Sequence, residues 1–161
     1  MGNVKVAIMM GSKSDLNIME KTAEILKEFE TSFEMKVLSA HRTPKETAEY
    51  AEALRAKGVR VVICGAGASA ALSGVVASHT TLPVIGVPID ATALNGMDAL
   101  LSTVQMPPGV PVGTVAIGEA GAKNAALLAL RILSLNDPLL ETRLQKYKED
   151  QKQKILGIKL T

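Results

Sequence analysis

His41 and Arg42 stand side by side in the stretch Ser39-Ala40-His41-Arg42-Thr43-Pro44. An imidazole gives and takes protons near neutral pH, and a guanidinium grips phosphate or carboxylate through a planar fork of donors. The apolar run before them, Met35 to Leu38, reads as a short buried strand. Thr43-Pro44-Lys45-Glu46 after them reads as a capping box with proline at the first helical position. The pair then sits at the C-terminal end of a strand, the edge where open parallel sheets bind ligands. Taken alone, the stretch also reads as a helix cap preceded by two exposed polar residues.

Two more stretches reach the same edge. Gly11-Ser12-Lys13-Ser14-Asp15 follows an apolar run from Val4 to Met10 and opens a segment with Met19, Ala23, Leu26 and Phe29 at helical spacing. Gly65 to Ala71 follows the run Val59 to Cys64, and its small residues let a backbone approach a ligand closely. Because strand-to-helix loops of a parallel sheet open on one edge, the three stretches form one expected pocket. The hydroxyls of Ser12 and Ser14, helix N–H groups and Arg42 suit a phosphate, and Asp15 suits ribose hydroxyls. Gly11, Ser39, Gly67, Ala68, Ala71 and Leu72 complete its expected walls, and a small phosphosugar or nucleotide is the ligand class. His41 is the candidate for proton transfer. Ser12 to Asp15 matches no Walker loop or GxGxxG fingerprint and by itself also fits a helix cap. His79, in a polar turn ahead of Pro83, and the charges of Asp98 and Lys123 are read as ordinary surface residues.

The elements that must position these residues alternate. Expected strands are Val4 to Met10, Phe33 to Leu38, Val59 to Cys64, Pro83 to Val87 and Val112 to Ile117. Expected helices follow each, including Thr43 to Lys57 ended by Gly58, a short one near Gly96 to Val104, and Gly121 to Leu135. Short, nearly continuous apolar strands separated by helices predict a parallel five-stranded sheet covered on both faces. The fold class is therefore α/β, a three-layer α/β/α sandwich resembling the flavodoxin-like arrangement, in a single domain over 1–161. The helix from Gly121 is apolar almost all round, so its Ala-rich side is expected against another subunit. A last helix over 138–156, opened by Asp137-Pro138, is expected to lie as an arm on a neighbour, with packing on its own domain the alternative.

Composition narrows the function. With 18 basic and 16 acidic residues, the net charge of +2 provides no electrostatic case for nucleic acid or an acidic membrane. Two Tyr, two Phe and no Trp leave little for stacking bases or a flavin ring. The one cysteine, Cys64, excludes an internal disulfide, and no Cys/His cluster suggests zinc. No apolar stretch reaches the roughly 18 to 20 residues that span a bilayer, and the first ten residues lack a cleavable leader pattern, so a cytoplasmic protein is expected. Neither paired carboxylates of the glycosidase kind nor a nucleophile-base-orienter set is evident. A cofactor-free reaction with one proton shuttle, or simple ligand binding, remains.

Six motifs occur in one order along nearly the whole chain: Met10-Gly-Ser-Lys-Ser-Asp15, Ser39-Ala-His-Arg-Thr-Pro44, Leu82-Pro-Val-Ile-Gly-Val-Pro88, Leu101-Ser-Thr-Val-Gln-Met-Pro107, Gly109-Val-Pro-Val112 and Asn124-Ala-Ala-Leu-Leu128. Together they resemble the N5-carboxyaminoimidazole ribonucleotide mutase family of de novo purine biosynthesis. The resemblance implies an octameric enzyme that moves a carboxyl group from the exocyclic nitrogen to C4 of an aminoimidazole ribonucleotide, with no metal, ATP or biotin. It implies substrate binding by Ser12, Asp15 and Arg42, and catalysis by His41 through release of CO2, attack of C4 on it and removal of the C4 proton.

One stretch departs from the pattern. Family mutases carry Gly-Gly-Ala-Ala-His-Leu-Pro-Gly where this chain has Ala68-Ser69-Ala70-Ala71-Leu72-Ser73-Gly74, so Ala71 stands in the histidine's place. The Ser-x-Ala-Leu pattern looks like the related aminoimidazole ribonucleotide carboxylases, which use free CO2. Arg42 and Gly86-Val87-Pro88 look like the mutases. A mutase is the expectation and a carboxylase the alternative; a non-catalytic phosphosugar-binding module, with no need of His41, is the reading from another class.

Overall fold

The computed structural model describes residues 4–159; the first three residues of the stretch read as lacking a leader lie outside that range. Five parallel strands, β1 (Val6–Met10), β2 (Phe33–Val37), β3 (Val61–Gly67), β4 (Val84–Ile89) and β5 (Gly113–Thr114), stand in the order β2-β1-β3-β4-β5. Helices α1 (Leu16–Glu28), α2 (Pro44–Ala53), α3 (Leu72–Ser78), α4 (Met97–Val104), α5 (Gly118–Ser134) and α6 (Pro138–Leu156) surround them. The order reverses between β1 and β3, the switch point beside which a doubly wound sheet opens a crevice. The three-layer α/β/α expectation is met. Among the described residues no helix is long and apolar enough to cross a membrane.

Strand alternation builds both core layers. Val6, Ile8 and Met10 of β1 face α1 and α5, packing with Met19, Ala23, Leu26 and Leu130. Ala7 and Met9 face the other way, onto Tyr50, Leu54, Leu72 and Val76 of α2 and α3. With both faces covered, β1 and most of β3 are buried throughout, which is why they read as unbroken apolar runs.

Several boundaries differ from expectation for local reasons. β3 starts at Val61 and runs past Cys64 to Gly67, because β4 pairs with it as far as Ile89. β4 continues through Pro88. The Gly86 carbonyl accepts from Val115 N–H on the β5 side, so strand alternation aims the Pro88 nitrogen to that side, beyond the end of β5, where no donor is needed. β5 shrinks from Val112–Ile117 to two residues, an edge strand paired only with Ile85 and Gly86. α2 stops at Ala53 and tightens through turns to Gly58, whose φ of 89° glycine adopts without penalty.

The expectation that α5 presents its alanines to another subunit is overturned. Ala122, Ala125, Ala126 and Ala129 are fully buried within this chain. Their small side chains bring α1 close enough for the Thr22 hydroxyl to donate to the Ala122 carbonyl at 2.9 Å. α6 covers part of the remaining side of α5. Its Leu140 is buried, Leu144 and Tyr147 pack on the core, and Arg143 pairs with Glu30 at 2.6 Å. Residues 148–159 are exposed.

Candidate active site

The C-terminal ends of β1, β2 and β3 meet in a cleft of about 360 Å3. Backbone bonds tie the three ends: Leu38 N–H donates to the Met10 carbonyl at 2.9 Å, and Gly11 N–H to the Gly65 carbonyl at 3.2 Å. Gly11, Ser12, Ser14 and Asp15 line it from the first loop, Ser39, His41 and Arg42 from the second, and Gly67, Ala68, Ala71 and Leu72 from the third. All eleven residues named from sequence therefore share one wall-to-wall space. Ala40, Ala66, Ala70 and Ala91 line it as well. Ala91, after β4, is not among the residues expected from sequence, although its place beyond a fourth strand end of the same sheet points to it.

The first loop is a single 3-10 turn, Lys13–Asp15, closed by a capping box. Ser12 Oγ accepts from Ser14 N–H at 3.3 Å, and Asp15 Oδ2 accepts from Ser12 N–H at 3.0 Å. Asp15 is buried at 5% exposure. Burial pushes its carboxyl above the ordinary value of 3.8, while the Ser12 N–H, the Ser14 hydroxyl and the Arg42 charge pull it back.

The second loop carries the cation and the imidazole. Arg42 Nη2 donates to the Gly11 carbonyl at 2.9 Å and Nε to Ser39 Oγ at 3.3 Å, so the guanidinium bridges the first two loops. His41 is exposed, and its ring makes no hydrogen bond with any described residue. The capping box expected at Thr43 to Glu46 does not form. Pro44 holds the first helical position, but the Thr43 hydroxyl makes no bond to the helix it precedes. The capping box of this edge is the one at Ser12 to Asp15.

The third loop is apolar and strained. A Cβ on Gly67 would lie 2.5 Å from the Ala91 side chain and 3.1 Å from the Ile89 carbonyl, so only glycine lets this loop reach the one after β4. Ala68 and Ala70 adopt φ of 52° and 26°, a region that costs an L residue about 1 kcal/mol or more. The Ala70 N–H donates back to the Gly67 carbonyl at 3.1 Å, turning the chain sharply into α3.

The other residues weighed lie elsewhere. His79 Nδ1 lies 3.0 Å from Glu52, outside the cleft, and Lys123 is exposed. Asp98 is not the plain surface charge expected: one oxygen accepts from the Thr92 hydroxyl at 2.8 Å and the other is buried without a partner. No cluster of three or more His, Cys, Asp or Glu able to hold a metal ion occurs among the described residues. Chemically, the cleft offers a cation, hydroxyls and a carboxylate on one side, an apolar wall opposite, and one imidazole free to meet a ligand.

Comparison with known proteins finds relatives along nearly the whole chain. A family model described as AIR carboxylase matches residues 5–154. The N5-carboxyaminoimidazole ribonucleotide mutase of Pyrococcus abyssi is 57% identical over 151 residues, spanning 94% of this chain and 86% of its own. The same-named protein of Bacillus subtilis is 54% identical over 151 residues, spanning 94% and 93%. The crystal structure of Treponema denticola PurE superposes with a TM-score of 0.85 at 35% identity, covering 94% of this chain and 93% of that one. With a match over 150 consecutive residues and relatives this similar along both chains, the protein belongs to the AIR carboxylase family.

Proposed function

We propose that this chain is an N5-carboxyaminoimidazole ribonucleotide mutase, forming 4-carboxy-5-aminoimidazole ribonucleotide in purine biosynthesis. The observation that carries the reading is one cleft holding His41, Arg42, Ser12 and Asp15 together, in a chain 57% identical to a mutase over 151 residues. Arg42 and the two serine hydroxyls receive the phosphate, and Asp15 receives the ribose. His41, as imidazolium, delivers a proton to the exocyclic nitrogen as the N–C bond to the carboxylate breaks. The CO2 so freed rests against the mostly apolar wall from Gly67 to Leu72, which offers it few polar partners. C4 attacks it, and the proton leaving C4 returns to His41, so the cycle needs no added reactant.

The same reading carries a homo-octamer in the cytoplasm. Leu94, Met97, Leu101 and Val104 recur at helical spacing on and before α4, each about half exposed or more, and Ile155, Leu156 and Ile158 are exposed on and just beyond the distal part of α6. Two apolar surfaces of this kind fit contacts between copies.

Turnover of the carbamate ribonucleotide without added bicarbonate, set beside carboxylation of the aminoimidazole ribonucleotide under high CO2, tests the proposal. The mutase consumes the carbamate rapidly. Ala71 favours the second reading, a carboxylase, and activity only with the free aminoimidazole and CO2 would establish that reading instead.

A further inference from the structure

The imidazole of His41 is held by nothing of its own. It is exposed and unbonded, so its place over a ligand is set by the backbone from Ser39 to Thr43. Two hydroxyls brace that backbone: Ser39 Oγ accepts from the Arg42 N–H at 3.2 Å, and the Thr43 hydroxyl ties the two ends of the loop. Thr43 Oγ1 accepts from Ser39 N–H at 2.9 Å and donates to the Ser39 carbonyl at 3.0 Å, while Thr43 N–H donates to the same carbonyl at 2.8 Å. Three bonds thus close a ring around Ala40, His41 and Arg42.

The bracing is made at the expense of the helix. A threonine at the N-cap ordinarily accepts an N–H from the first helical turn. Thr43 occupies that position with φ −134° and ψ 55°, yet its hydroxyl turns back onto the loop and leaves the helix uncapped by its side chain. The base of the ring is anchored too: Thr47, fully buried, donates both its N–H and its hydroxyl to the Thr43 carbonyl, at 3.0 and 2.8 Å. The loop is therefore fastened to α2 below Thr43 and braced through Thr43 above it.

We propose that Thr43 is a positioning residue for His41: its hydroxyl holds the loop so that the imidazole meets the reacting nitrogen and carbon. The proposal rests on the mutase reading for its chemistry, but not for its geometry. Arg42 is also secured through the Gly11 carbonyl and, by its N–H and Nε, through Ser39 Oγ, so losing the Thr43 hydroxyl releases the proton shuttle more than the phosphate grip. A misplacement of about 1 Å costs a reaction roughly 100-fold.

The test compares Thr43→Val, which keeps the branched shape and deletes the hydroxyl, with Thr43→Ser, which restores it. Thr43→Val is expected to lower kcat at least tenfold with KM within about threefold, and Thr43→Ser to recover most of the loss. The chain has only two histidines, so the ring signals of His41 and His79 are separable by NMR, with Glu52-paired His79 as internal control. In Thr43→Val the His41 signal is expected to shift or broaden while that of His79 stays. Wild-type kcat in Thr43→Val, or a Thr43→Ser as defective as Thr43→Val, would overturn the proposal. If wild-type protein turns over neither substrate, the mutase reading falls, and an unchanged His41 signal in Thr43→Val would then overturn the positioning role by itself.

Discussion

At the cleft, the proposed reaction assigns different tasks to two neighbouring side chains, His41 and Arg42. His41→Asn keeps a short polar side chain at the position but cannot carry a proton, so kcat is expected to fall by about 10²- to 10⁴-fold with ligand affinity preserved, read by steady-state kinetics and calorimetry. Arg42→Ala removes charge-assisted donors from the phosphate and from the Gly11 carbonyl. Affinity is expected to weaken by about 2 kcal/mol, roughly 30-fold, with a smaller effect on the chemical step. Asp15 adds a pH dependence. Its carboxyl is raised above 3.8 by burial, so the folded state holds the proton more tightly than the unfolded chain does. This contribution to stability is full below about pH 3.8 and is lost as pH rises through the higher folded value. Asp15→Asn, which can still accept from the Ser12 N–H, is therefore expected to melt higher than wild type at pH 7 and to converge with it toward pH 3.5, while binding ligand more weakly. An unchanged difference across that range would reject the account.

Among the elements, the third loop depends on missing side chains. Gly67 allows β3 to approach the turn after β4; a Cβ there would meet the Ala91 Cβ at 2.5 Å and the Ile89 carbonyl at 3.1 Å, neither of which can rotate away. Gly67→Ala is expected to cost about 1 to 3 kcal/mol by thermal or urea unfolding and to displace the apolar wall of the cleft. Thr22 provides a second case, since its hydroxyl donates at 2.9 Å to the Ala122 carbonyl inside the α1–α5 contact. Removing a buried donor here costs less than disturbing the close approach of the two helices, which the four alanines of α5 permit.

For the molecule as a whole, α6 is held along its first half alone. Leu140, Leu144 and Tyr147 fasten its first half, and Phe29 stacks at a tilt on Tyr147 with ring centroids 5.5 Å apart. Beyond Lys148 every described residue is exposed, Ile155 and Leu156 to 68%. Light scattering of the full chain is expected to report about eight times the 16.9 kDa of one copy. Deleting 149–161 is expected to leave the sheet folded by circular dichroism and to lower the number of copies, measured mass divided by the mass of the shortened chain; an unchanged number of copies would remove the arm from the interface.

Local chemistry determined much of this protein in advance. Apolar runs of strand length alternating with helical periodicity required a parallel sheet covered on both faces, and that topology alone brought Gly11 to Asp15, Ser39 to Arg42 and Gly67 to Leu72 to one edge. Ala91 escaped because a lone alanine carries no chemical signal until β4 places it there. What depends on distant partners was decided only by the tertiary structure. Whether β5 runs six residues or two depends on how far β4 offers hydrogen bonds, and the extension of β3 to Gly67 depends on the same neighbour. The alanines of α5 read as an interface because periodicity shows that a face is apolar but not what covers it; α1 does. Thr43 and Glu46 match a capping pattern, yet the Thr43 hydroxyl found two partners on Ser39, and a side chain with competing acceptors is settled by geometry that no spacing encodes.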